Sequence, residues 1–267
     1  MPGRWYFRGA LLLLGSLLLS HFILRADNHD LRKGSLHITT YSKQFVNVHL
    51  VCLDGRYLLI DAGLVGDWEG LLRFLRKQGV SPTDLDYLIL THAHPDHAGN
   101  AAMLQQEYGV PIIAGAADSS IIAQQGEDPH LCVYKWPGRI VQKTIAAQRY
   151  RPFQPDIEVT DLYQLEYGDR TVTIKCIGGH TPGSLAIFID QNVFVGDLLK
   201  GSNLVAQRPA FHLFLCDPAA NLSDLETIAQ WPSLEYWFTG HLGPLRQVDV
   251  LNFIEKQSRL INAQHDE

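Results

Sequence analysis

His92, His94, Asp96 and His97 lie in one short run, His92-Ala93-His94-Pro95-Asp96-His97. Imidazole nitrogens and carboxylates are ligands for divalent transition metals, and so many at this density point to metal chemistry rather than packing. Spacing divides them. An extended backbone sends residues i and i+2 to the same side, so His92 and His94 can reach one cation. Pro95 ends the extended segment and starts a turn, which aims Asp96 and His97 at a second cation nearby. Asp96 also opens a helical pattern, where the positive end of the dipole favours a carboxylate. With 12 histidines in the chain, this pattern arises by chance in on the order of one chain in a thousand of this size.

Three later positions have the same character. Gly178-Gly179-His180-Thr181-Pro182-Gly183 sets a histidine just past a strand, in a glycine-rich turn with little bulk to obstruct a ligand. Val193-Phe194-Val195-Gly196-Asp197 ends a strand on a carboxylate, whose two oxygens suit it to bridging two cations. Thr239-Gly240-His241 repeats the histidine at a strand end. A histidine standing alone is more often structural than ligating, and His130 and His212 are read that way. Lys200, Phe211 and Phe214 follow Asp197 closely and, with His212, are read as surface or packing residues.

The elements that must hold these groups can be read from periodicity. Leu36–Tyr41, Val46–Leu53 and Tyr57–Asp61 are expected as strands, with Asp54-Gly55 as a hairpin turn. Helical spacing predicts Asp67–Gln78, Asp96–Tyr108, a short helix near Ala117–Gln125, Leu222–Gln230 and Gln247 to about Asn262. Further strands are expected at Leu85–Thr91, Val110–Ala114, Arg170–Ile177, Leu185–Ile189, Val193–Gly196 and Tyr236–Thr239. Every candidate ligand falls at the carboxyl end of a strand. Gly126 to Asp161 shows little periodicity and reads as a long excursion, either a lid or substrate wall or an ordinary surface loop. Strands and helices alternate in both halves without a linker, so one α/β catalytic domain, sheets inside and helices outside, is expected over 31–267.

The runs Thr91-His92-Ala93-His94-Pro95-Asp96-His97-Ala98-Gly99, Gly179-His180-Thr181-Pro182-Gly183-Ser184, Gly196-Asp197, Gly240-His241 and Leu59-Ile60-Asp61-Ala62-Gly63 resemble those of the metallo-β-lactamase fold superfamily, from Leu36 to about Asn262. The resemblance implies an α/β fold of the four-layer αβ/βα sandwich type. It implies that His92, His94 and His180 bind a first metal, that Asp96, His97 and His241 bind a second, and that Asp197 bridges both. Asp61 resembles the family's aspartate that orients a ligand histidine. Two Zn2+ per chain suit these ligands, with Fe or Mn as alternatives.

Such a centre supports a binuclear metal-dependent hydrolase. Coordination lowers the pKa of water from about 15.7 towards 7, so a hydroxide shared by two cations attacks at neutral pH. Asp96 is then the catalytic candidate that orients the nucleophile and passes a proton to the leaving group. The resemblance also ranks substrates. Zinc β-lactamases generally lack the aspartate matched by Asp197, which disfavours β-lactams. Glyoxalase II-like thioesterases and lactonases share all seven ligands, but glyoxalase II proper adds a C-terminal helical domain, and 26 residues follow His241 here. A carboxylic ester, lactone or thioester of a small molecule is the leading expectation. The alternatives are a mononuclear iron persulfide dioxygenase-like enzyme and a β-lactamase or phosphodiesterase branch of the same fold.

The whole chain is consistent with this reading. Its 267 residues are 46% hydrophobic and 19% charged, and the net charge of −6 shows no basic stripe for nucleic acid. A small-molecule substrate and no nucleic-acid partner are expected; oligomeric state is not legible. Residues 1–30 read as a signal peptide or an N-terminal membrane anchor, because Arg4 and Arg8 precede the uncharged, leucine-rich Gly9–Leu24. That segment is shorter than the roughly 20 residues that span a bilayer comfortably. A membrane association through residues 9–24, or export, with the catalytic domain outside the cytoplasm, is the expectation. Cys52, Cys132, Cys176 and Cys216 form no CxxC pair and read as small buried hydrophobes; an oxidising compartment would allow three pairings.

Overall fold

The computed structural model describes residues 29–265 except 130, 135, 137, 140–141 and 144–146. The apolar segment Gly9–Leu24 and His130 lie outside the described residues. Among the described residues, no helix is long and apolar enough to cross a membrane.

A seven-stranded sheet carries the first half of the chain. Its strands β1 (Asp30–Lys33), β2 (Leu36–Lys43), β3 (Val46–Leu53), β4 (Arg56–Ile60), β5 (Leu85–Ile89), β6 (Ile112–Gly115) and β7 (Ile157–Val159) lie side by side in chain order. Pairing is antiparallel up to β4 and parallel from β4 to β7. Asp54 and Gly55 make the β3–β4 turn with φ of 52° and 82°, the doubly left-handed geometry that matches the twist of a hairpin. The second sheet has six strands in the order β15 (Leu245–Arg246), β14 (Tyr236–Thr239), β11 (Asn192–Gly196), β10 (Leu185–Ile189), β9 (Arg170–Cys176) and β8 (Leu162–Tyr167). A two-stranded ribbon pairs β12 (Lys200–Gly201) with β13 (Pro209–Ala210).

The sheets face one another. Ile38, Val51, Leu58, Ile60 and Ile89 of the first meet Ile174, Leu185, Ile187, Phe194 and Phe238 of the second in one apolar core. The outer face of the first sheet is covered by α1 (Trp68–Lys77), α2 (Pro95–Ala98), α3 (Ala101–Tyr108) and α4 (Ser119–Ala123), through Leu71, Phe74, Leu75, Leu104 and Ile121. That of the second is covered by α5 (Pro218–Ala229) and α6 (Gln247–His265), through Leu222, Leu225, Val250 and Ile254. Helix, sheet, sheet and helix give the expected four-layer αβ/βα sandwich.

Several boundaries differ from the sequence reading. The helix expected over Asp96–Tyr108 is two helices, parted at Gly99 and Asn100. A Cβ on Gly99 would stand 2.4 Å from Gly63 O and from Val65 N, and the Asn100 side chain donates to Ala62 O and Leu64 O. The chain breaks its helix there to close onto the loop after β4. Helix α5 begins four residues earlier than periodicity predicts, because Asp217 caps it by accepting from Ala219 N and Ala220 N, and Pro218 fits the first turn. Strand β1 escaped notice because Asp-Leu-Arg-Lys has no apolar face, and the excursion after Gly126 ends in β7 and β8. The cysteine reading is also corrected. Cys132 and Cys216 form a disulfide across 84 residues, while Cys52 and Cys176 are half-buried thiols.

His49 on β3 sits between the sheets against Phe194 and Phe238, with ring centroids 5.3 and 5.4 Å away. It bonds Thr40 Oγ1 and Thr239 O, and burial pushes its pKa down to about 3. The unfolded chain protonates this histidine below about pH 6.5, whereas the fold resists until about 3. Its contribution is therefore complete above pH 6.5 and is lost progressively as pH falls towards 3. His49→Gln is expected to flatten that part of the stability profile, read by urea denaturation between pH 7 and 4; an unchanged slope would refute it.

Candidate metal centre

The site assembles where strands of both sheets end. Past β5 the chain stays extended through His94 (φ −68°, ψ 154°) and enters α2 at Pro95, so His92 and His94 lie on one side and His97 one turn further on. His180 sits in the turn between β9 and β10, Asp197 directly follows β11, and His241 lies two residues past β14. Main-chain bonds lock these ends together: Leu185 N donates to Thr91 O at 2.7 Å, and Gly240 N to Gly196 O at 2.8 Å. A Cβ at Gly240 would stand 2.4 Å from Asp197 Oδ1 and 2.5 Å from His97 Cε1, so only glycine leaves room for that carboxylate.

All seven residues singled out from sequence meet here, in overlapping groups whose ligand atoms lie within 4.8 Å of one another. One group is His92, His94 and His180; another is Asp96, His97 and His241; a third joins His92, His97 and Asp197, and a fourth His180, Asp197 and His212. His94 Nδ1 and His180 Nε2 are 3.1 Å apart, close to the spacing of two nitrogens on one tetrahedral ion with bonds of roughly 2.0–2.1 Å. Asp197 Oδ2 lies 3.7 Å from His180 Nε2 and 3.3 Å from His241 Nε2, and Oδ1 lies 3.5 Å from His97 Nε2. Asp96 Oδ2 is 3.4 Å from His241 Nε2 and 3.7 Å from His97 Nε2. His92 Nε2, His97 Nε2, His241 Nε2 and Asp197 Oδ1 are buried with no hydrogen-bond partner. Orphaned buried polar atoms are costly, and converging ones fit a cation.

The far nitrogens of these rings are held by acceptors. His97 Nδ1 donates to Asp61 Oδ2 at 2.9 Å, and Asp61 also accepts from Thr91 N and the Thr91 hydroxyl. His92 Nδ1 donates to Thr91 Oγ1 at 3.1 Å, His180 Nδ1 to Phe214 O at 3.1 Å, and His94 Nε2 to Asp128 Oδ2 at 3.0 Å. Asp61 thus occupies the orienting place that the resemblance implied. Asp118 went unnoticed in the sequence. It accepts from Ala93 N, Gly183 N and the Thr181 hydroxyl, tying the His92–His97 loop to the His180 loop.

Charge is divided unevenly. Burial pulls His97 and His241 down, but the carboxylates Asp197 and Asp96 outweigh it; His97 rises well above its ordinary pKa and His241 to about 9. Burial and neighbouring imidazoles depress His92, and burial depresses His180. Burial would raise Asp96 and Asp197, yet the imidazoles around them hold both below the usual carboxylate range. A proton is thus disfavoured on His92 and His180 and favoured on His97 and His241, where a divalent cation would have to displace it.

A cleft of about 390 Å³ opens onto the centre, walled by Phe45, Leu64, Leu131, Gln148, Lys200, His212, Leu213 and Phe214. Of the surface-or-packing reading for that segment, packing holds for Phe211, and the cleft claims the rest. Lys200, His212 and Phe214 are buried and line the cleft, and Phe211 packs behind it. His212 Nε2 is 3.3 Å from Asp197 Oδ2, a proximity without local signal because the residues are 15 apart in the chain. The wall is stapled: Tyr134 N donates to Leu213 O, Leu215 N to Cys132 O, and the disulfide closes the pair. Cys132→Ser with Cys216→Ser is expected to raise KM about two- to tenfold, from roughly 0.5–1.5 kcal/mol per side chain left to be ordered by substrate. Metal content should stay the same; loss of metal would mean that the staple supports the centre and not the wall.

A sequence profile for the metallo-beta-lactamase superfamily matches residues 42–237. This chain belongs to the metallo-beta-lactamase superfamily. Among curated relatives, a probable metallo-hydrolase of Methanocaldococcus jannaschii is 24% identical over 187 residues, covering 69% of this chain and 82% of that protein. A hydroxyacylglutathione hydrolase of Shewanella sp. (strain ANA-3) is 25% identical over 202 residues, covering 76% of this chain and 64% of that protein. The match to the hydroxyacylglutathione hydrolase of Anaeromyxobacter dehalogenans spans only 42% of its length. Among solved structures, a beta-lactamase from Chitinophaga pinensis superposes with a TM-score of 0.64 at 16% identity, over 91% of this chain and 96% of that one. The superfamily chain is accordingly an enzyme, a metallo-hydrolase of this fold.

Proposed function

We propose that the protein is a binuclear metal-dependent hydrolase acting on a carboxylic ester, lactone or thioester of a small molecule. The observation that carries it is Asp197, whose Oδ2 lies 3.7 Å from His180 Nε2 and 3.3 Å from His241 Nε2, one from each histidine group, with Oδ1 buried, orphaned and 3.5 Å from His97 Nε2. His92, His94 and His180 would hold one cation, and Asp96, His97 and His241 the other. Cations held there supply an acidified water and positive charge opposite the oxygen that becomes negative. The protein's own share is orientation: Asp61, Asp128 and Phe214 O fix the imidazoles, and Asp96, at the cleft mouth beside His241, can take a proton from the attacking water and return it to the leaving group. The apolar side chains of the cleft hold the acyl or leaving group away from bulk water.

The ester or thioester preference draws support from the relatives named hydroxyacylglutathione hydrolases, whose substrate joins an acyl group to glutathione. A small, uncharged or weakly charged substrate also fits the volume of the cleft and the net charge of −6. The test is metal quantification followed by a panel of ester, lactone, thioester, phosphodiester and β-lactam substrates. Two metals per chain with turnover of an acyl compound is the expected result. One iron per chain, with oxygen consumed in the presence of a persulfide, would replace this reading by the dioxygenase. We further propose that the catalytic domain works in an oxidising compartment outside the cytoplasm, a placement that the Cys132–Cys216 disulfide supports.

A further inference from the structure

His212 differs from four of the histidines around it in what stands behind its ring. His92, His94, His97 and His180 each have an oxygen acceptor at the far nitrogen: Thr91 Oγ1, Asp128 Oδ2, Asp61 Oδ2 and Phe214 O. An acceptor there holds the ring proton, which leaves the near nitrogen a lone pair for a cation. Behind His212 stands a donor. Phe214 N–H points at His212 Nδ1, 3.4 Å away. A main-chain N–H can only donate, so Nδ1 must offer its lone pair, and in the neutral ring the proton resides on Nε2. A protonated Nε2 cannot ligate a metal. Phe214 therefore imposes opposite tautomers on two rings, through its carbonyl on His180 and its N–H on His212.

The protonated nitrogen faces the reacting region. His212 lines the cleft beside Asp96, Asp197 and His241, and its ring stacks on that of His241 at 5.1 Å and meets His180 edge-on at 5.2 Å. Nε2 is 3.3 Å from Asp197 Oδ2, in a pocket wall built from Phe214 and Leu213. We propose that His212 is a catalytic hydrogen-bond donor, a neutral imidazole whose Nε2–H binds the carbonyl oxygen of an acyl substrate as that oxygen becomes negative. The assignment rests on the acyl-hydrolase reading above. It involves no proton transfer: the hydrogen stays on Nε2 and the bond shortens as charge develops, as for any preorganised oxyanion donor. Neutral imidazole can serve in this way when its environment keeps the second proton off.

The tautomer is tested without turnover. In zinc-loaded protein labelled with 15N-histidine, two-bond 15N–1H correlation spectra should show one neutral ring protonated on Nε2 that disappears in His212→Gln. A His212 ring protonated on Nδ1, or zinc lost from His212→Ala, makes it a ligand and overturns the proposal. The role is tested with p-nitrophenyl acetate and an acetyl thioester. His212→Ala should lower kcat about 10²- to 10³-fold with KM changed less than about threefold and zinc unchanged. His212→Gln, whose amide Nε2 also donates, should recover at least about tenfold of that loss. Equal kcat in the wild type and both variants overturns the role. If His212→Ala does not fold, the glutamine variant carries both readouts. A wild type that cleaves neither compound removes the acyl-hydrolase reading and with it the role, whereas the spectra still decide where the proton sits.

Discussion

Replacing Asp197 by Asn is expected to lower bound zinc from two per chain to fewer than one and to reduce kcat/KM by about 10³-fold or more. The size follows from the position of the carboxylate. Its oxygens lie within 3.3 to 3.9 Å of imidazole nitrogens from His92, His97, His180, His212 and His241. It reaches both the group of His92 and His180 and the group of His97 and His241. Asparagine keeps the volume, which matters because Gly240 leaves no slack against it. It removes the charge that would draw two cations close and turns half the acceptor into a donor. Metal analysis and steady-state rates check this together. Two zinc ions retained with a rate within tenfold of wild type would show that Asp197 is not a bridge.

The second large effect is expected at Asp61, which touches no predicted metal position. Asp61→Ala should weaken metal binding about 10- to 100-fold, the usual consequence of losing the partner behind a ligand, and destabilise the fold by about 3–5 kcal/mol, as for a buried pair broken on one side. One carboxylate here accepts from Thr91 N at 2.7 Å, from the Thr91 hydroxyl and from His97 Nδ1. Both Asp61 and His97 are buried. Without it, three buried donors lose their acceptor, and His97 is free to carry its proton on the nitrogen needed for the cation. Asp61 also holds a left-handed backbone, φ 64°, which costs alanine more than aspartate. Zinc titration against a competing chelator and thermal denaturation of the stripped protein separate the two components. Wild-type affinity in the alanine variant would remove the orienting role.

Legibility from sequence followed distance along the chain. The run from His92 to His97 was readable because strand and turn geometry act over a few residues, and His180, Asp197 and His241 because each closes an apolar strand. The sandwich followed from the same alternation. Asp118 was not readable, since its meaning lies in Gly183, 65 residues away. Nor was Asp128, which falls in a stretch without periodicity, or the pairing of Cys132 with Cys216. His212 was set aside because a lone histidine carries no signal; its tautomer depends on a main-chain group that only the folded wall brings near. Some misses did have local cues. Gly99-Asn100 inside a helical pattern is a breaker pair, and Asp217-Pro218 is a helix start. Both were outweighed by apolar spacing on either side.

The staple made by Asp118 and the one made by Cys132–Cys216 hold different things. Asp118 clamps the two ligand loops to each other through main-chain hydrogens of Ala93 and Gly183, whereas the disulfide fastens the substrate wall to the strap that carries His212 and Phe214. The ligand loops and the outer wall thus have separate anchors, which meet at Phe214, whose carbonyl holds His180. A lineage could rewrite Leu131, Leu213 or Gln148 and acquire a new acyl group without disturbing the spacing of a single metal ligand, so that change in preference and loss of chemistry need not go together.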